Sequence, residues 1–446
     1  MGFLSGMSGR LFVLGSLSTI ALVVFLLFQP LLALVLLVLC ILVVGGLSIP
    51  RSLRAGMGVL GAIAASVLFP PLFTPLPAAT GVIVGIGWLI FMSASAGKRP
   101  SGVLRFWVVA AVLALGTVMS LQFLPDAYRI WIVVFLILIG FASGRLHASE
   151  QRLVRLGIVC VAVLEGAWCA FEFLVLRHPV LGSETSGFHP VFPDFIRSQG
   201  TLGHPIVAGV VLLVGLTLLL SSDLGRRTKT LGSLVLLLGI FTTGSSSVFI
   251  VAAVCLVLPF ALLGGWIARG FKLIALAGSV VLVTVQQQSL TPVAADVTGI
   301  NTVHRVNSIK GIPALIFERP FMQSLLGTGW DSERYNYRAG YLVDDGLYSL
   351  DNMFGTVLMA TGVIGLGLLL IFLIWTYRRK AQAVSLAIFG LVFMFFAFDV
   401  LSWASSGALF IFVACAAALQ ENKRTNDSSA SSSISKDAEL LPSLRA

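Results

Sequence analysis

Charge is scarce in this chain of 446 residues, because Asp, Glu, Lys and Arg make up 11% of it, against about 25% in soluble domains. Hydrophobic residues make up 57%, and the mean hydropathy is +1.00. The sequence has five cysteines, all within apolar runs, which argues against a disulfide framework and a zinc site. It also lacks a basic stripe interleaved with aromatic residues, so we expect no nucleic-acid partner. These scarcities exclude an ordinary soluble domain.

The apolar runs predict an all-α polytopic membrane protein with 12–14 transmembrane helices. A helix of about 20 apolar residues satisfies its own backbone in lipid, whereas an open sheet does not. The expected spans are 11–28, 31–49, 57–75, 78–95, 104–124, 129–144, 153–175, 205–221, 230–243, 246–266, 272–288, 352–376, 382–400 and 404–420. The pair joined at Pro30 and the pair around Thr243–Ser247 are the candidates for broken or re-entrant elements.

The basic residues favour one orientation of these spans. With the N-terminus inside, short inner loops and the tail hold all but eight of the 29 Lys and Arg residues, as the positive-inside rule requires. The eight exceptions are Arg129, Arg177, Arg197, Arg305, Lys310, Arg319, Arg334 and Arg338. The net charge of +10 therefore reflects topology, and both termini are expected in the cytoplasm. The first apolar run leads into another without a cleavage site, so we expect no signal peptide.

This topology divides the chain into six parts. They are N-terminal helices (1–175), a first loop outside the cytoplasm (176–204), central helices (205–288), a large late loop on the same side (289–350), C-terminal helices (351–420) and a tail (421–446). The tail is polar and rich in serine, so it is expected to be disordered. The late loop contains aromatic residues, glycine turns and a short amphipathic pattern, so its length indicates a structured, functional segment.

A segment of the first loop combines features that suit an anion. The sequence Arg197-Ser-Gln-Gly-Thr-Leu-Gly-His204-Pro205 runs straight into the eighth span. Arginine donates bidentately to a diphosphate, and Pro205 in the first turn brings a helix N-terminus to the same place. The alternative is that Arg197 only reaches the membrane interface beside a turn. Small hydroxyl residues at 244–247 mark either a helix break in a cavity or close helix packing.

The two ends of the late loop also contain residues that suit chemistry. His304-Arg305 begins an amphipathic pattern over 301–317, and its basic residues suit either lipid headgroups or a lipid-linked phosphate. Asp351-Asn352 stands where the chain re-enters the apolar region. Asp351 is a candidate general base there, or an N-cap of the following helix, and the two roles are compatible.

Three acidic residues stand within or beside the spans. Glu165, Glu172 and Asp399 are functional candidates because ionisable groups are costly in lipid. They are candidates for a proton relay, although their spacing follows no obvious pattern.

In chain order, these segments resemble a known superfamily. The set consists of Arg-x-x-Gly-x-x-x-His-Pro at 197–205, hydroxyls at 244–247, His304-Arg305, Phe317-Glu-Arg-Pro, Leu326-Gly-Thr-Gly-Trp330, and Asp351-Asn352 with Gly362 eleven positions after Asp351. Over about residues 190–375 it is similar to the O-antigen ligase and O-antigen (exopolysaccharide) polymerase superfamily of integral membrane glycosyltransferases.

The resemblance implies glycosyl transfer on the outer face of a bacterial cytoplasmic membrane, from a glycan carried on undecaprenyl diphosphate to a glycan or lipid acceptor. It implies no cofactor and no metal, and it allows contact with other polysaccharide-assembly proteins. Arg197 and Arg305 would hold the diphosphate. The expected catalytic residues are Asp351, Arg305 and His304, and the expected substrate-binding residues are Arg197, Gln199, His204, Arg319 and Asn352.

This chain departs from the superfamily pattern in two places. The ligases have a histidine where Asp351 stands, which favours a polymerase or a divergent transferase over a ligase and leaves His304 as a second candidate base. A tryptophan usual four residues after the loop arginine is replaced by Ile309. Two other classes remain open, namely a transporter or flippase of lipid-linked polar substrates and a non-catalytic membrane assembly subunit.

Overall fold

The computed structural model describes residues 48–68, 80–94, 104–121, 127–181, 187–261, 307–343, 350–378 and 382–416, with Gly346 and Tyr348. Several predictions concern segments outside these residues. They are the spans 11–28 and 272–288, nearly all of 31–49, the His304-Arg305 pair, and the tail 421–446.

The described part of the chain is helical and contains no strand. Its helices are α1 (Arg54–Leu68), α2 (Thr80–Ala94), α3 (Leu104–Ser120), α4 (Ala127–Ser143), α5 (Ala148–Phe171), α6 (Pro205–Leu220), α7 (Arg226–Thr242), α8 (Ser246–Ala261), α9 (Ile312–Phe317), α10 (Phe321–Leu326), α11 (Glu333–Arg338), α12 (Met353–Arg378), α13 (Gln382–Met394) and α14 (Ala404–Ala416). A π-turn at Glu172–Leu176 extends α5.

Three helical segments are long and apolar enough to cross a membrane, namely Arg51–Leu68, Ala148–Leu176 and Met353–Thr376. The other apolar helices are shorter, and each overlaps one of the expected spans. The expectation of a helical chain is confirmed for the described residues, and these three segments have the length and composition that a membrane span requires. The late loop contributes the three short helices α9, α10 and α11.

Helix α6 forms the centre of the bundle. Nearly all of its residues are buried, and α5, α7, α8, α13 and α14 pack around it. A helix that is apolar on every side is stable only when other helices surround it, or when it lies in lipid. Pro205 opens α6 at the first helical position, where its missing N–H costs nothing.

Helix α12 is broken at Gly362. The backbone there has φ 65° and ψ −168°, a conformation that essentially only glycine adopts. A Cβ at this position would also lie 2.3 Å from the backbone C and O atoms of Leu325 in α10. Position 362 therefore requires glycine both for its conformation and for the close approach of α10.

The break leaves carbonyl groups of α12 without their usual helical donors, and the late loop supplies donors in their place. Thr328 N–H donates to Met359 O at 2.9 Å, and Gly329 N–H donates to Ala360 O at 2.9 Å. The Thr328 hydroxyl donates to the same Met359 carbonyl at 3.1 Å. These bonds satisfy buried acceptors that an apolar environment would otherwise leave unpaired.

The same loop segment also contacts α3. The Trp330 indole Nε1 donates to Leu113 O at 3.3 Å, and the Ser120 hydroxyl donates to Trp330 O at 3.1 Å. Trp330 is buried against the helix. The segment Leu326–Trp330 is thus held between α3 and the broken part of α12.

We predict that Gly362→Ala lowers the stability of the detergent-extracted protein by about 1–3 kcal/mol or more, because the backbone conformation excludes a Cβ. The measurement is thermal unfolding, followed as the loss of the monodisperse peak in size-exclusion chromatography after heating. Gly367→Ala is the matched control, since a Cβ there meets nothing within 4 Å in the same helix. Equal melting of the two variants would contradict the role assigned to Gly362.

Candidate functional site

Glu172 holds the end of the first loop in place. One of its carboxylate oxygens accepts the backbone N–H groups of Gln199 at 3.1 Å and Gly200 at 2.9 Å. The other accepts Val180 N–H at 3.1 Å. Three backbone donors from two parts of the loop therefore converge on this buried carboxylate.

Glu165 holds the next residue of the same loop. Its carboxylate accepts both the N–H of Thr201, at 2.7 Å, and the Thr201 hydroxyl, at 2.9 Å. Gly200 has φ +62°, and a Cβ there would overlap the Glu165 carboxylate at 1.9 Å. Two of the three acids expected as candidates for a proton relay thus anchor the loop that contains Gln199.

Arg197 lies on the break between α7 and α8. Its Nε donates to Thr243 O at 2.8 Å, at the C-terminus of α7. A Cβ built at Gly244, which has φ +58°, would lie 3.2 Å from Arg197 Cγ. The small residues at 244–247 therefore do mark a helix break, and Arg197 packs closely against it.

The rest of the first loop is built on an aromatic cluster. The His189 ring lies within about 6 Å of the rings of Phe173, Phe192 and Phe241, and its Nε2 lies 2.8 Å from Phe241 O. Its Nδ1 accepts two backbone N–H groups. Burial, with a contribution from Arg197, lowers the pKa of His189, which agrees with a neutral ring accepting at Nδ1.

His204 is the N-cap residue of α6, and its side chain points at aromatic partners. Its ring centroid lies 5.1 Å from that of Trp403 and 6.3 Å from that of Phe398. Burial and the charge of Arg197 lower the pKa of His204 to about 4, so the imidazole is neutral at pH 7. Within the described residues, its buried Nδ1 has no hydrogen-bond partner.

Residues 395–403 form a connection between α13 and α14 that joins the two loops. It contacts His204 through Phe398 and Trp403. It also accepts Met353 N–H at Phe395 O, at 2.8 Å. The starts of α6, α12 and α14 therefore meet at one end of the bundle.

Asn352 caps helix α12. Its side-chain oxygen accepts the N–H groups of Phe354 at 2.9 Å and Gly355 at 3.2 Å. The sequence left Asp351 as a candidate for this cap, but the neighbouring amide takes the role. Asp351 is partly exposed, and no residue in the described ranges forms a hydrogen bond or ion pair with its carboxylate.

Arg319 is turned into the protein. Its three nitrogens donate to the carbonyls of Leu315 at 2.7 Å, Met359 at 3.2 Å and Leu358 at 3.3 Å. Burial lowers the pKa of Arg319 to about 10, so the guanidinium remains charged at neutral pH. Arg319 was expected to bind substrate, but in the structure its guanidinium binds backbone carbonyl groups.

A cluster of charged residues at the same end was missed by the sequence analysis as a unit. Arg129 in α4 pairs with Asp331 at 2.7 Å and donates to Ser402 O at 2.7 Å. Asp331 has a left-handed backbone, with φ 63°. Glu333 and Asp399 lie close enough to act on the charge of Arg129. The signal in the sequence was that Arg129 is among the eight basic residues that the positive-inside rule leaves in the opposite loops.

The structure therefore brings together part of the expected site. Arg197, Gln199 and His204 share the first loop, and the 395–403 connection links them to Asp351 and Asn352 at the start of α12. His304 and Arg305 lie outside the described residues. Among the described residues, no group of three or more His, Cys, Asp or Glu side chains is arranged to hold a metal ion.

Comparison with known proteins adds no assignment, because no family model and no curated protein matches this chain.

We predict that stability falls as the pH rises from about 4.5 to about 7, in part because of Glu333. Burial raises the pKa of Glu333 from 4.5 to about 7, so the folded state binds a proton that the unfolded state releases over this range. Glu333→Gln should reduce this dependence and raise the melting temperature at pH 7.5. Glu318→Gln, an exposed glutamate of the same loop, is the control. An unchanged pH profile in Glu333→Gln would contradict the raised pKa of this side chain.

Proposed function

We propose that the protein is a multi-pass membrane glycosyltransferase of the O-antigen ligase or polymerase type, with polymerase favoured. It would transfer or polymerise glycan from undecaprenyl-diphosphate-linked donors on the outer face of a bacterial cytoplasmic membrane. The observation that carries the proposal is the meeting of the two motif-bearing loops at one end of the bundle. His204 contacts the 395–403 connection, which also contacts the start of α12 beside Asp351.

The charge distribution supports the orientation of this proposal. Arg152 at the start of α5 lies 3.7 Å from Asp223, which follows the end of α6. This end is opposite to His204, because α6 runs from one end to the other. Both regions belong to the short loops with many basic residues, which favours a cytoplasmic position for this end and an outer position for the two long loops.

The proposed reaction needs an anion-binding group and a base. An acceptor hydroxyl oxygen forms a bond to the anomeric carbon, while the bond from that carbon to the diphosphate oxygen breaks and its electron pair leaves with the diphosphate. Arg197 and Arg305 would neutralise the departing charge, which is a large contribution in a site poor in water. The Asp351 carboxylate would take the proton of the acceptor hydroxyl, with His304 as the second candidate.

His204, Gln199 and Asn352 have different relations to this chemistry. The neutral His204 ring offers an unpaired Nδ1 to a sugar hydroxyl. Gln199 is fully buried, and its backbone is bound to Glu172, so it fixes the position of Arg197. Asn352 uses its side chain to cap α12, which fixes the backbone beside Asp351.

We predict that Arg197→Ala lowers glycan formation by about 100-fold or more, a loss typical for one group that stabilises developing charge. The variant is expressed in a strain deleted for the gene, and the lipid-linked and finished glycans are profiled. Arg177→Ala is the control, because it removes the same charge from an exposed position of the same loop. Single repeats on lipid in the deletion strain indicate a polymerase, and long unattached chains indicate a ligase.

Normal glycan from a stably folded Arg197→Ala protein would contradict the role of Arg197 in binding the diphosphate. It would then favour the non-catalytic assembly subunit, for which the arginine is dispensable.

We predict that Asp351→Asn loses more activity than Asp351→His, because the amide cannot accept the proton whereas imidazole can. Asn at this position also keeps the size of the side chain, and Asn352 retains the cap, so folding should be preserved. The same glycan profile is the measurement. Wild-type activity in both variants would remove Asp351 as the base.

A transporter or flippase is the second candidate, since helix breaks that line a cavity are typical of such proteins. Two breaks are present in the described residues, at Gly362 in α12 and between α7 and α8. The purified protein in liposomes separates the candidates. A transporter moves a lipid-linked glycan across the bilayer without changing its length, whereas the proposed enzyme changes the length or the acceptor.

A further inference from the structure

The tip between α9 and α10 presents large apolar side chains to its surroundings. Phe317 is 81% exposed, Phe321 73% and Met322 63%. These are among the largest exposures of apolar side chains in the described residues, and they fall within six consecutive positions. A cluster of this kind marks a surface that meets another apolar phase or a partner.

The basic residue of the tip faces the other way. Arg319 is 5% exposed and binds the carbonyls of Leu358 and Met359 in α12. The tip therefore lies within the length of one arginine side chain of the first part of α12. The contact of Leu325 with the position of Gly362 fixes the other end of α10 against the same helix.

The residues of α12 that Arg319 contacts indicate how deep the tip lies in the membrane. Met353–Thr376 contains 24 residues and is one of the segments that can cross a membrane. At about 1.5 Å per residue, and with the break at Gly362, it spans at most about 36 Å, so each end extends no more than roughly 3 Å beyond a hydrocarbon core about 30 Å thick. Leu358 and Met359 are five and six residues inside the helix, so they lie about 5–6 Å below the edge of that core.

The surface of α12 next to these contacts is also apolar and exposed. Val363 and Ile364 follow the break, and Ile371 and Ile374 continue the exposed apolar surface along the helix. The exposed side chains of the tip thus lie at the level at which α12 would meet lipid. Glu318 is the one exposed acidic residue of the tip, and it limits insertion to the boundary between headgroups and acyl chains.

We propose that residues 317–322 form a membrane-inserted wedge, in which Phe317, Phe321 and Met322 enter the outer leaflet at the boundary between headgroups and acyl chains. The occupant of this surface is the bilayer lipid itself. The inference depends on the membrane topology proposed above and is independent of the glycosyl-transfer chemistry. The wedge would hold the late loop at the height at which a lipid-linked substrate presents its headgroup.

The wedge needs both its exposed apolar side chains and the inward-facing Arg319. The apolar side chains favour lipid by the hydrophobic effect, and an unpaired arginine in the same turn would oppose insertion. Arg319 avoids this cost because the carbonyls left by the break in α12 accept its N–H groups. The break at Gly362 thus allows a loop segment to lie at a depth where its backbone and charge would otherwise be unsatisfied.

The test uses the full-length protein in lipid nanodiscs, with an environment-sensitive fluorophore on single cysteines. The labelled variants are Phe321→Cys as the wedge, Ile371→Cys as the reference on α12, and Arg338→Cys as the exposed polar control in the same loop. Cys40 and Cys160 are replaced by serine in all of them, whereas Cys169, Cys255 and Cys415 are buried.

We expect nitroxide-labelled lipid to quench the Phe321→Cys probe about twofold or more above the Arg338→Cys probe, as interfacial insertion requires. Aqueous iodide should show the opposite order. Strong iodide quenching at Phe321→Cys would overturn the wedge. Protection from both quenchers would overturn it as well, and crosslinking between the Phe321→Cys residues of two molecules would then identify a second copy as the occupant.

The reference position separates two kinds of failure. If lipid quenches Ile371→Cys but not Phe321→Cys, the wedge is wrong and the membrane topology stands. If lipid quenches neither, the topology of α12 is wrong as well. Phe321→Ser tests the same point without a label, because it should leave the stability in detergent unchanged while weakening the attachment of the loop to the bilayer.

Discussion

Backbone carbonyl groups in an apolar environment need hydrogen-bond donors. The break in α12 leaves several carbonyl groups without the N–H groups that a continuous helix would supply. In the late loop, the N–H groups of Thr328 and Gly329 and the guanidinium of Arg319 donate hydrogen bonds to these carbonyl groups. The glycine at 362 and the loop segment 326–330 therefore depend on each other. This one pairing places the late loop against α12 and α3, and so determines where the loop can act.

The first loop is held by the reverse arrangement, in which acidic side chains accept hydrogen bonds from the loop backbone. Its backbone N–H groups turn inward, and the carboxylates of Glu165 and Glu172 in α5 accept them. Arg197 then meets the carbonyl at the end of α7. Both loops are thus fixed by acidic or basic side chains bound to backbone groups, and both end beside the 395–403 connection. Such fixed positions favour a preorganised polar site at this end of the bundle.

Much of the architecture was predictable because hydropathy and length are local properties of the sequence. Each described long helix overlaps an expected span, although several begin a few residues before it, and the break at 243–245 was signalled by Gly244 and its serines. The start of α12 was also placed within one residue. The roles of individual polar residues were less predictable. Asn352 caps α12 where Asp351 was considered, and Arg319 binds carbonyls where a substrate contact was expected.

The sequence by itself determined the helical, apolar class of the protein, the distribution of its basic residues, and the segments in which polar chemistry is concentrated. The tertiary structure decided which of those polar residues anchor the fold and which remain available. Glu165, Glu172 and Arg319 have backbone partners far away in the chain, whereas His204 Nδ1 has no partner in the described part. The reason is physical, since the cost of a buried polar group depends on partners that only long-range packing brings together.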